Sequence, residues 1–270
     1  MRPLSMLCLL AALACAPQNR PAATPNRIEI RATDFAFAAP DTIPAGLTTI
    51  KLLNAGREPH QAVVAGAAGK SFAELEAALL RESFPDWLVF PGGPGNVVAG
   101  DSAIVTTNLA PGNYLVLCYI PSPNGKPHIL KGMYKRLVVA PARNTAVAAE
   151  PQADVTVTLS DYTFALSAPL TAGTHVIRVE NTGPQLHELT LERLRPGKTL
   201  ADFQRWAADG MRGALPVEPA GGFAGPTSGR VGWLMVTLKP GNYLLNCYVP
   251  DATDGKPHFL HGMVQEVKVF

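Results

Sequence analysis

The feature that most constrains how this chain can fold is a long internal duplication. Thr33-Asp34-Phe35-Ala36-Phe37 returns 127 residues later as Ser160-Asp161-Tyr162-Thr163-Phe164. Asn54-Ala55-Gly56 and His60 return at the same offset as Asn181-Thr182-Gly183 and His187. Pro111-Gly112-Asn113-Tyr114 returns at offset 129 as Pro240-Gly241-Asn242-Tyr243, and Gly125-Lys126-Pro127-His128 at offset 130 as Gly255-Lys256-Pro257-His258. Offsets that drift by three residues across a whole unit describe two copies of one domain with small changes in loop length. A solenoid would repeat every 20 to 50 residues or so. With 270 residues, each copy is long enough to bury a core of its own. The boundaries fall at residues 27–140 and 154–270, with a linker at 141–153 rich in Ala, Pro and polar residues.

Within each copy the apolar period is that of strands. Ile28-Glu29-Ile30-Arg31-Ala32, Val155-Thr156-Val157-Thr158-Leu159 and His175-Val176-Ile177-Arg178-Val179 alternate. Tyr114–Tyr119 and Tyr243–Val249 are apolar enough for central strands, each introduced by a Pro-Gly-Asn turn. One helix is expected per copy. Ser71 and Glu74 form a capping box ahead of an apolar face of Phe72, Leu75 and Leu79. Its counterpart opens at Thr199 and buries Leu200, Phe203 and Ala207. The 24 Gly and 25 Pro with 47% apolar residues suit a sandwich with many turns rather than a disordered chain.

The N-terminus carries Arg2, an apolar run from Leu4 to Ala14 and then Cys15, the pattern of an export signal over residues 1–15 and too short to span a bilayer. Ala11-Ala12-Leu13-Ala14-Cys15 resembles a bacterial lipobox, in which the cysteine is lipidated and holds the protein to a membrane. A plain secretory signal cleaved near Ala14 or Ala16 is the other reading. Residues 16–26 are polar enough for a tether. An exported chain meets an oxidising compartment, yet only Cys118 and Cys247 remain for the folded part. They hold equivalent places in the two copies, so a bridge between them would need the copies to meet site to site. The net charge of +2, with no cluster of Lys and Arg, excludes nucleic acid as a partner.

The chemistry-bearing residues come in two matched sets. In the first copy His60 stands alone, and Cys118, His128 and Met133 follow with nine and four residues between them. In the second, His187 is followed by Cys247, His258 and Met263, with ten and four residues between. Two imidazoles, one thiolate and a long axial thioether are the donor set of a trigonal copper site: soft sulfur favours Cu(I), and imidazole suits both oxidation states. A single Cys or Met on an apolar strand is ordinarily core. Four ligand types in one order, found twice, are not explained that way. Tyr114 and Tyr243, four residues before their cysteines, are expected to pack in the core, and Asn54 and Asn181 to brace the ligand loops. Of the other histidines, His175 falls within a strand and His261 replaces Lys131 on the solvent side near the site.

Here the sequence resembles the cupredoxins, the blue-copper family of plastocyanin, azurin and the type 1 domains of nitrite reductases. His128-Ile129-Leu130-Lys131-Gly132-Met133 and His258-Phe259-Leu260-His261-Gly262-Met263 are similar to the His…Gly-Met ending of the nitrite-reductase copper loop, and Asn54-x-Gly56…His60 and Asn181-x-Gly183…His187 to the strand that carries the first histidine. The resemblance implies a mainly β fold of two Greek-key, cupredoxin-like β-sandwich domains, each with one inserted helix. It implies one copper on His60, Cys118, His128 and Met133, and another on His187, Cys247, His258 and Met263. The function expected is electron transfer with a redox protein, a cytochrome or another cupredoxin, in an extracytoplasmic, lipid-anchored setting. A copper oxidase or nitrite reductase would need further histidines, and only His175 and His261 are left. Copper storage or delivery usually draws on Met- or His-rich tracts, which the six Met do not form. A binding module that keeps the fold without metal is a third alternative.

Overall fold

The computed structural model describes residues 24–81, 83–142 and 147–270. The segment read as an export signal, with Cys8 and Cys15, lies outside them.

Alternating sequence becomes strand wherever one face can be covered. Along Asn26–Thr33 (β1), Ile30 and Ala32 are fully buried while Glu29 and Arg31 face water. The first copy continues with β2 (Ala36–Ala38), β3 (Thr42–Pro44), β4 (Gly46–Asn54), β5 (Val63–Ala67), helix α1 (Phe72–Leu79), β6 (Pro91–Pro94), β7 (Ser102–Leu109), β8 (Gly112–Leu117) and β9 (Tyr134–Ala140). The second runs β10 (Val155–Ser160), β11 (Thr163–Leu166), β12 (Gly173–Asn181), β13 (Leu189–Leu194), helix α2 (Leu200–Ala208), β14 (Val217–Pro226), β15 (Val231–Leu238), β16 (Gly241–Asn246) and β17 (Val264–Val269). Both helices start where the sequence indicates. Ser71 and Thr199 are N-caps whose capping boxes close with Glu74 and Asp202. Leu75 and Leu79 of α1 are fully buried, each worth about 2 kcal/mol of transfer from water.

Each copy is a sandwich. One eight-stranded sheet, in the order β11-β10-β12-β15-β7-β4-β1-β2, serves both. It is faced by β3-β9-β8-β5 in the first copy and by β17-β16-β13-β14-β6 in the second. The main core lies between these layers, and each helix seals the outer face of its smaller sheet through a separate apolar cluster. The shared sheet is continuous because β7 pairs antiparallel with β15. Val105 faces Leu234 there, and in the β6–β14 ladder Pro94 faces Phe223. Both differences (234 − 105 and 223 − 94) equal 129, the offset of the duplication, so equivalent residues face one another about an approximate two-fold axis.

The strands before the cysteines stop at Leu117 and Asn246, short of the ends of the apolar runs at Tyr119 and Val249. The N–H of Cys118 turns to the carbonyl of Met133, and its own carbonyl accepts from Ile129. Cys247 does the same with Met263 and Phe259. These bonds tie the ligand loop to itself and end the ladder. Tyr114 and Tyr243 are buried, their hydroxyls donating to the carbonyls of Ala110 and Lys239 across the turns before β8 and β16.

Candidate metal centres

In each copy the loop after β4 or β12 and the loop after the strand that leads to the cysteine close over one end of the sandwich. The first loop is held by a buried asparagine. Asn54 Nδ2 donates to the carbonyls of Glu58 and Val97, both at 2.8 Å, and its Oδ1 accepts from Gly56. Asn181 repeats this with Gln185, Pro226 and Gly183. His60 is then pinned by a backbone bridge to Val97. In the second loop, His128 and His258 open short 3-10 turns behind Pro127 and Pro257. Gly132 and Gly262 end these turns at φ 93° and 103°, a left-handed conformation that a Cβ would strain and that leads directly into Met133 and Met263.

The structure brings His60, Cys118 and His128 together, and likewise His187, Cys247 and His258. In each group one ligand atom per residue lies within 4.8 Å of the others, and all six residues are buried. The two Nδ1 atoms are 3.2 Å apart in the first site and 3.0 Å in the second. Each Cys Sγ is 3.4 Å from the Nδ1 of the later histidine. Met133 and Met263 are also fully buried, their N–H groups bonded to the carbonyls of His128 and His258. Cys118 and Cys247 are free thiols, so no bridge joins the copies.

Carboxylates fix what these imidazoles can do. His60 Nε2 lies 2.8 Å from Asp34 Oδ1, His128 Nε2 2.9 Å from Glu58 Oε2, and His187 Nε2 2.5 Å from Asp161 Oδ1. A neutral ring that donates from Nε2 presents a lone pair at Nδ1. With both rings of the first site donating from Nε2, two such lone pairs would point at one another beside a sulfur, an arrangement suited to a cation between them. Gly56 and Gly183 make room for this pairing. A Cβ on Gly56 would overlap Asp34 Oδ1 and come 2.7 Å from His60 Nε2, and one on Gly183 would come 2.8 Å from His187 Nε2.

The ionisation states agree with metal binding. Burial lowers the pKa of His60 and His187 and takes His258 down to about 4, so these rings are neutral at neutral pH. Burial pushes the Asp34 carboxyl up, but hydrogen bonds from the Arg57 N–H, His60 and the Glu58 N–H outweigh it and hold the pKa at about 2. Burial raises Cys118 to about 12 and Cys247 well above an ordinary thiol. A metal ion must displace those protons, and the N–H of Gln61 at 3.5 Å and of Glu188 at 3.4 Å point at the sulfurs that would carry the charge. Two nitrogens, a thiol and a buried thioether residue in each copy make a donor set able to hold a copper ion.

The remaining histidines are engaged elsewhere. His175 Nε2 lies 2.8 Å from the Thr171 carbonyl. His261 stacks on Tyr162 and bonds Asp254, forming a third cluster with Asp251. That cluster is satisfied internally: Asp251 accepts from Tyr162, Gln185, Thr253 and Asp254, and Asp254 also pairs with Lys256.

Sequence reasoning missed the carboxylates. Asp34 and Asp161 recur inside the repeated motif and were available from it. Glu58 is matched by Gln185, so the duplication gives no signal for it. A buried polar group beside the second site was also missed. Glu192 accepts from the Tyr248 hydroxyl at 3.0 Å and from Asn246 at 3.3 Å, where the first copy has Ala65, Tyr119 and Leu117.

Each half is a β-sandwich with a buried group of two histidines and a cysteine. No protein-family model matches the chain, and a search of curated proteins finds no match. Solved structures do match it. The dithionite-reduced auracyanin of Roseiflexus castenholzii is 24% identical, covering 44% of this chain and 100% of its own, with a TM-score of 0.33. The blue copper protein auracyanin A of Chloroflexus aurantiacus is 22% identical over 43% of this chain and 98% of its own, at 0.30. The copper-containing nitrite reductase of Thermus scotoductus is 15% identical over 90% of this chain and 61% of its own, at 0.26.

Proposed function

We propose that the protein is an exported electron carrier, tethered through lipid on Cys15, in which each half holds one copper ion that cycles between Cu(I) and Cu(II). The ligands are His60, Cys118, His128 and Met133 in one half, and His187, Cys247, His258 and Met263 in the other. The observation that carries this reading is the convergence of two Nδ1 atoms and a thiol in each buried pocket. The bound metal would supply a one-electron couple. The protein's part is to keep the rings neutral and aimed, exclude water, and hold the donors where little rearrangement accompanies the electron.

A carrier rather than a catalyst is favoured because no further cluster of two or more histidines occurs among the described residues. The two histidines outside the sites bond Thr171 and Asp254. Residues 27–140 and 154–270 would be the two redox domains, and a redox protein would be the partner. The test is to load the purified chain with Cu(II) and count ions and visible thiolate-to-copper charge-transfer bands. Two ions per chain are expected. Cys118→Ser and Cys247→Ser should each abolish one site's band and leave the other. Loading without any such band, or turnover of nitrite or oxygen by the loaded protein, would overturn the reading.

A further inference from the structure

The two sites have the same ligand types but different surroundings. Glu58 occupies, 127 residues earlier, the position of Gln185, and Ser122 occupies, 129 residues earlier, that of Asp251. In the first half the Glu58 carboxylate reaches the ring of His128 at 2.9 Å. In the second half Gln185 is turned instead to Asp161, Tyr162 and Asp251. His258 Nε2 is buried without a hydrogen-bond partner, and the Asp251 oxygen nearest to it is 3.8 Å away. That oxygen already accepts from Tyr162 at 2.5 Å and from Gln185 at 3.0 Å, while the other oxygen accepts from the N–H groups of Thr253 and Asp254. In the first site each imidazole therefore has its own carboxylate, Asp34 on His60 and Glu58 on His128, whereas in the second only His187 has one, Asp161.

We infer that Glu58, through its hydrogen bond to His128, makes the first site the better holder of Cu(II), so that an electron entering the chain comes to rest in the second half. This deepens the copper reading above and rests on it. A carboxylate that accepts from the far nitrogen of a ligating imidazole makes the near nitrogen more basic and favours the higher metal charge. Asp34 and Asp161 play that part in both halves and cancel in the comparison. Lys131 donates to Ser122 and lies 4.0 Å over the Phe35 ring, and its charge acts against Glu58 through space. The hydrogen bond acts along the ring itself. In the second half the place of Lys131 is taken by His261, stacked on Tyr162 at 5.0 Å. Glu58 is thus a positioning residue: it touches a ligand and not the metal.

The experiment is a mediated redox titration of the copper-loaded, full-length protein, following each site's charge-transfer band, with C118S and C247S assigning the bands. The first site is expected to have the lower reduction potential. E58Q should raise the potential of the first site and leave the second unmoved, and the reciprocal Q185E should lower the second. Equal or reversed potentials in the wild type, or an unmoved first-site potential in E58Q with both bands intact, would overturn the inference and leave the copper reading standing. Failure of the chain to take up copper would overturn both.

Discussion

Glu192 offers a sharp test of how the second half tolerates a buried acid. Its side chain is 1% exposed, and its hydrogen bonds come from Tyr248 and Asn246. Burial pushes its pKa up to about 7 from an ordinary 4.5, against those two donors. The folded state thus binds this proton more tightly than the unfolded chain. Below pH 4.5 both states carry the proton, and Glu192 costs nothing. Between pH 4.5 and about 7 the unfolded chain ionises while the folded state keeps the proton, and a shift of that size removes about 3 kcal/mol of stability over that window. Glu192→Gln keeps the shape and stays neutral, so it escapes the loss. Urea unfolding of the metal-free protein at pH 5 and pH 8 measures this, comparing the variant with wild type at each pH. Such a comparison removes the opposing effect of the buried histidines, which both proteins share. The variant should gain roughly 2 kcal/mol relative to wild type between the two pH values. A difference that does not change with pH would refute the assignment of a neutral, buried Glu192.

Three further outcomes follow from the site geometry and the helix caps. Asp34→Asn should lower copper affinity at the first site by roughly 10–100-fold and Asp161→Asn should do the same at the second, read by competition with a chelator, because the ring tautomer is no longer held. Gly56→Ala, whose Cβ would press on Asp34 and on His60 Nε2, should leave one copper per chain instead of two, with the far-ultraviolet circular dichroism of the fold retained. Ser71→Ala and Thr199→Ala remove the caps of α1 and α2 and should each cost about 1 kcal/mol in denaturant unfolding.

The architecture was legible because a duplicated pattern is read twice. Strand alternation in β1 and β10, the capping boxes of both helices and the Pro-Gly-Asn turns follow from local chemistry, and each appears at both offsets. The sequence order of the ligands also indicated a site, since a thiol, an imidazole and a thioether crowded into one late loop have few other uses. The shared eight-stranded sheet was not legible. Nothing in Ser102–Leu109 or Val231–Leu238 says that these edge strands pair with each other rather than with solvent or another chain. The carboxylates behind the imidazoles were hidden for a related reason. Asp34, Glu58 and His128 are far apart in the chain, and only the folded loops bring them within 3 Å or so of the ring nitrogens.

The duplication also separates what a site needs from what adjusts it. The four ligand types, the bracing asparagine, the close-approach glycine and the carboxylate on the first histidine are the same in both halves. The surroundings differ at Glu58 and Gln185, Gln61 and Glu188, Ser122 and Asp251, Lys131 and His261, Phe35 and Tyr162, Ala65 and Glu192, and Leu117 and Asn246. Every difference in that set changes charge or hydrogen-bonding capacity, and none adds or removes a donor atom from the ligand cluster. Two identical sites would share an incoming electron equally. Polar changes confined to the layer behind the ligands can bias that division while the pocket that grips the metal stays the same. In the second half two of these changes carry a cost in folding, since Glu192 and Asn246 occupy positions where Ala65 and Leu117 pack without a hydrogen-bonding requirement. Replacing Glu192 and Asn246 together by Ala and Leu should therefore stabilise the metal-free second half at pH 8, and unfolding measurements that showed a loss instead would mean the polar group holds the Cys247 strand in place.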